Sequence, residues 1–135
     1  MSRFAQLMQT AAIAAFTVAT LTAQGPSMQA DGAANVRTMA GILAKLNHYP
    51  SDAEKKSLQA IVDDKTAGAN EKTLAQALIN VQHTVSPADK PKVEAVVKDA
   101  TASAPLKTLA SVLAGLNHTP SAAEKDTLAK LAAPK

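Results

Sequence analysis

Apolar residues recur along this chain at steps of three and four. Val36, Met39, Leu43 and Leu46 form one such series, Leu74, Leu78 and Val81 a second, and Leu106, Leu109, Leu113 and Leu116 a third. That spacing places each series on one face of a helix. After each series come Asn47-His48, Gln82-His83 and Asn117-His118, where Asn tolerates the left-handed conformation and His can meet free helix-end carbonyls. Pro50 and Pro120 then block continuation. Ser51, Ser86 and Ser121 start a second helix, with Glu54, Asp89 and Glu124 three residues on. Ser-x-x-Glu is a capping box: the serine oxygen accepts from a free backbone N–H while the glutamate returns a bond to the cap. Asp89 is the shorter version, and Pro91 must kink that helix or delay its start until Asp89 caps it. The second helices are expected to bury Ala53, Leu58, Ile61 and Val62, then Ala88, Val93, Val96 and Val97, then Ala123, Leu128 and Leu131. No segment alternates as a strand does.

These elements are one unit written three times. Thr38, Thr73 and Thr108 lie 35 residues apart, as do Ala40, Ala75 and Ala110, and Leu43, Leu78 and Leu113. The same register aligns His48, His83 and His118, then Ser51, Ser86 and Ser121, then Ala53, Ala88 and Ala123, and finally Lys55, Lys90 and Lys125. The reading is an all-α fold of three tandem 35-residue helical-hairpin repeats, 36–70, 71–105 and 106–135. Their six short helices must stack as a small solenoid or close as a bundle, because none is stable alone. The period is near that of tetratricopeptide repeats, but the aromatic positions expected there are absent.

The N-terminus has a different pattern. Arg3 precedes a mostly apolar, uncharged run from Ala11 to Ala23. One positive charge, an apolar stretch and then small residues predict a signal-like helix over 1–23, cleaved on export to the periplasm or the extracellular space. The stretch is short for a membrane span, so a membrane enters only if this segment is retained as an anchor. Residues 24–35, with Gly25, Pro26 and Gly32, are expected to be a flexible lead-in to a repeat domain at 36–135.

Composition removes several function classes. The 135 residues hold no Cys and no Trp, so disulfides, thiolate metal sites and thiol nucleophiles are excluded. The aromatics are Phe4, Phe16 and Tyr49, too few for a base- or sugar-stacking platform. A formal charge of +3 is dispersed, which speaks against nucleic acid. No Gly-rich phosphate loop, GxSxG elbow, HExxH or CxxCH occurs, so the expectation is no enzyme and no cofactor.

Three histidines are the remaining chemistry. The preferred reading of His48, His83 and His118 is structural, with imidazole at a helix end interacting with carbonyls and dipole. The alternative is a transition-metal or haem site, since neutral imidazole is a common metal ligand. In an open stack the three would stand about 8–10 Å apart, too far to share one ion, whereas a closed bundle could bring them together. Tyr49 reads as a turn residue capping the core, or alternatively as a contact point for a partner. Asp63-Asp64 and the three aligned lysines read as solvated surface. The resulting expectation is a small exported protein with a non-catalytic binding or structural role, through a protein partner or self-association.

Overall fold

The computed structural model describes residues 25–134, with side chains described from residue 32 onward. The expected export segment, 1–23, lies outside the described residues. Six helices follow one another: α1 (Gly25–Lys45), α2 (Asp52–Asp63), α3 (Ala69–Ile79), α4 (Lys90–Lys98), α5 (Ala104–Ala114) and α6 (Ala122–Ala132). Among the described residues, extended pairing is confined to isolated bridges in the connecting loops.

The long first helix differs from the expected flexible lead-in, because it runs from Gly25 through the whole of 26–35. Pro26 suits the first turn of a helix, where its missing N–H has no intrahelical partner to lose. Gln29, Ala30, Ala33 and Ala34 then favour the helix enough to outweigh Gly32.

Helices α1, α3 and α5 form the inner layer. The three periodic apolar series are all buried, with Met39, Leu43, Leu74, Leu78, Leu109 and Leu113 fully enclosed. Ala40, Ala75 and Ala110 are also fully buried, and their small side chains let the three inner helices approach closely. Thr38, Thr73 and Thr108 each donate a hydroxyl bond to the carbonyl four residues back, at 3.0, 2.9 and 3.0 Å. That satisfies each hydroxyl on its own helix.

Helices α2, α4 and α6 form the outer layer and bury a narrower stripe: Leu58 and Ile61, Val93 and Val96, and Leu128. Val62, Val97 and Leu131 are half-buried against the core. Ala53, Ala88 and Ala123, expected inside, are exposed. They sit at or just before the first turn of their helices, where the chain is still approaching the core. The capping boxes form at Ser51–Glu54 and Ser121–Glu124, with both reciprocal bonds present. In the middle copy Pro91 delays the helix. The chain makes a turn from Ser86, and α4 begins only at Lys90, with Asp89 at the cap position.

The outer helices decide between stack and bundle. Helix α2 packs along α3 and α4 along α5, each across a short link, and α6 packs along α1 in the same way with no link between them. The inner helices meet pairwise, α1 with α3, α3 with α5 and α5 with α1. The six helices therefore close on themselves, and the ends of α1, α3 and α5 emerge together at one tip.

Candidate functional site

The tip is built from three loops, 46–51, 81–86 and 116–121, each following an inner helix. Leu46, Val81 and Leu116 are buried at the loop starts, and Pro50, Val85 and Pro120 are buried near their ends. These apolar anchors hold both ends of each loop against the core. Between them, Asn47-His48-Tyr49, Gln82-His83-Thr84 and Asn117-His118-Thr119 are lifted outward.

All three histidines adopt the left-handed region, with φ of 75°, 69° and 69°, and they are the only non-glycine residues with positive φ among the described residues. That conformation costs an L-residue on the order of 1 kcal/mol, and here it has a visible return. The His83 N–H donates to the His48 carbonyl at 2.8 Å, and the His118 N–H donates to the His83 carbonyl at 2.6 Å. The His48 N–H donates to the His118 carbonyl at 3.4 Å and closes the cycle. Each histidine backbone thus gives one hydrogen bond to one neighbour and accepts one from the other.

The side chains converge as well. The ring centroids of His48 and His83 are 4.8 Å apart, those of His83 and His118 5.1 Å, and those of His48 and His118 5.8 Å. The rings are mutually tilted by 53°, 60° and 81°, and all three residues are exposed. His118 Nδ1 lies 2.7 Å from Asn117 Oδ1. Since that amide oxygen only accepts, the ring nitrogen facing it carries the proton, and Nε2 of neutral His118 keeps its lone pair. As the rings stand, no group of three or more histidine, aspartate or glutamate side chains among the described residues is set to hold a metal ion.

The expected helix-end role of the imidazoles takes another form. The helix-end carbonyls of Leu43, Leu78 and Leu113 accept from the N–H groups of Leu46, Val81 and Leu116, at 3.2, 3.3 and 3.2 Å. The histidine backbone, not the ring, does the structural work. Tyr49 also departs from the capping reading: it is 63% exposed and covers no core, the one large apolar side chain left in solvent among the described residues.

Other polar groups have local partners. Asp89 is the buried charged residue of the described chain; it accepts from Asn80 Nδ2 and Ser86 Oγ, both at 2.8 Å, and from Lys92 Nζ at 3.1 Å. Those bonds, led by Asn80, hold its carboxyl below the ordinary range although burial opposes them. Asp63 accepts from Gln59, whereas Asp64 accepts from the Thr66 N–H and hydroxyl, so the adjacent carboxylates serve different bonds. At the opposite end of the bundle a cleft of about 480 Å³ is lined by Val36, Arg37, Glu71, Lys130 and Leu131. A neighbouring cleft of about 440 Å³ is lined by Asn70, Asp99 and Thr101. Neither includes a histidine.

The tip residues are legible in the sequence, but their backbone cycle is not. The available signal was the position itself: a residue just past a helix end is where a left-handed turn falls. Comparison with family models, with curated proteins and with solved structures finds no match. Among the described residues, no helix is long and apolar enough to cross a membrane.

Proposed function

We propose that this chain is a small exported helical-repeat protein that acts by binding or association and not by catalysis, and that its binding surface is the three-histidine tip. The observation that carries the reading is the convergence of His48, His83 and His118 on one exposed surface, held by a closed backbone cycle. Surface residues in a costly backbone conformation, on loops positioned by a rigid scaffold, mark a place where a fold presents function. Tyr49 beside this tip supplies an exposed aromatic for a partner. The recurrence of threonine bonds and left-handed histidines at a 35-residue spacing, with capping boxes at Ser51 and Ser121, supports threefold duplication of a helical hairpin.

Export is supported by Arg3 and the apolar run that follows it. Expression of the full chain in a Gram-negative host, followed by fractionation and mass measurement, tests this part. The expected result is a periplasmic product lacking residues 1–23; a full-length cytosolic product overturns it. For the non-catalytic part, the purified protein is assayed with chromogenic ester, phosphate and glycoside substrates. No turnover is expected, and turnover that disappears on substituting one histidine or serine would show an enzyme instead.

A further inference from the structure

We propose that His48, His83 and His118 together bind one divalent transition-metal ion, of the Zn(II) class, with a coordination position left open to solvent. This deepens the reading of the tip as a binding surface and rests on it. Three features of the tip point to it.

The first is distance. With Zn–N bonds of about 2.0–2.1 Å, imidazoles sharing one tetrahedral ion hold their ring centres on the order of 5 Å apart. The observed centroid separations are 4.8, 5.1 and 5.8 Å. The rings lie at about the right separations, but as they stand they do not form a metal-holding group, so binding requires them to reorient. All three are exposed, so rotation about the side-chain bonds meets solvent and the other two rings, not packed core. The backbone cycle meanwhile fixes where the three side chains start.

The second is donor chemistry. Neutral imidazole suits Zn(II), Ni(II) and Cu(II), and a ligating histidine usually gives its other N–H to an oxygen that fixes its tautomer. Asn117 Oδ1 stands in that place for His118 at 2.7 Å and leaves Nε2 free. Asn47 and Gln82 hold the corresponding positions before His48 and His83, although only the Asn117 amide meets its histidine ring as the side chains stand. Three protein nitrogens with the fourth position facing solvent is the ligand count of an open zinc site.

The third is residue choice. A left-handed position is cheapest for glycine, yet all three positions carry histidine. The middle copy departs from its neighbours at Gln82, Val85, Pro87 and Asp89, and it still carries His83. The backbone cycle alone would accept glycine, so it leaves the imidazoles unexplained.

The test is calorimetric titration of Zn(II) into the full chain at neutral pH, with Co(II) absorption reporting coordination. One saturable ion per chain is expected, with the ring C–H resonances of all three histidines moving together by NMR. Each single variant, His48→Asn, His83→Asn or His118→Asn, should weaken binding at least about tenfold, since a tetrahedral ion loses one of three protein bonds. Asparagine tolerates the left-handed turn, so circular dichroism of each variant should show the helices intact. Absence of saturable binding overturns the proposal, as does binding that persists in the triple variant. One ion shared among several chains overturns it too, as does uptake of haem without uptake of Zn(II). An inert exported protein that ignores Zn(II) sinks the metal site alone. Histidine-dependent turnover by a zinc-loaded protein sinks the non-catalytic reading alone.

Discussion

At His83 the backbone and the side chain ask for different residues. The φ of 69° favours glycine, and the peptide N–H and C=O need no side chain to bond to His48 and His118, respectively. The two roles are therefore separable by substitution. His83→Gly removes a left-handed penalty of about 1–2 kcal/mol and restores part of it as lost unfolded-state restriction. The variant should match the parent or exceed it by up to about 1 kcal/mol in urea unfolding. His83→Val, β-branched at the same φ, should lose about 1–2 kcal/mol or more. Equal losses in both would mean that the imidazole itself stabilises the tip. Zn(II) uptake should weaken in both, so the glycine variant would keep the fold while losing the ligand.

The short links between outer and inner helices carry their own hydrogen-bond chemistry. Asp99 accepts from Asn70 Nδ2 at 2.7 Å and from the Thr101 N–H and hydroxyl at 2.8 and 2.7 Å. Those bonds, Asn70 first, pull its carboxyl down from 3.8 to about 2. A depressed folded pKa means that this stabilisation is fully present above pH 3.8 and disappears as pH falls towards 2. Thermal unfolding of the parent should therefore decline over that window, and Asp99→Asn should flatten the decline while lowering stability above it. An acid limb unchanged by the substitution would place the titration elsewhere. The Asp–x–Thr turns at 64–66 and 99–101 are local, but the Asn70 bond joins residues 29 positions apart and leaves no local trace. The same division runs through the other elements. Periodicity and capping chemistry are local, so the inner helices and the two capping boxes could be read directly, while Pro91 left a kink and a delayed start both open and the fold takes the delay. The exposure of Ala53, Ala88 and Ala123 and the helix through 26–35 depend on how the chain approaches the core, which periodicity does not encode.

Closure is a property of the whole molecule, and it decides whether three histidines are a row or a cluster. The spacing of 35 fits an open stack and a closed bundle equally well; the choice lies in the packing of α6 on α1, between segments at opposite ends of the described chain. Leu128, fully buried on α6, tests that packing, and Leu58, fully buried on α2, is its counterpart across a covalent link. In an open stack α6 would be a peripheral last helix, and its leucine would matter less than Leu58. In the closed bundle each truncation to alanine should cost about 2–5 kcal/mol, and the two should be similar. The tip then supplies a second reading. His48 donates its N–H to the carbonyl of His118, in the loop that leads into α6, so loosening α6 should weaken that bond first. Native-state hydrogen exchange of Leu128→Ala should show faster exchange at the His48 amide, with the inner-helix amides keeping more of their protection. A Leu128→Ala protein that loses well under half of what Leu58→Ala loses, with the His48 amide still protected, would mean that α6 does not close the bundle. The backbone cycle at the tip, and any ion the three rings hold, would then owe nothing to that closure.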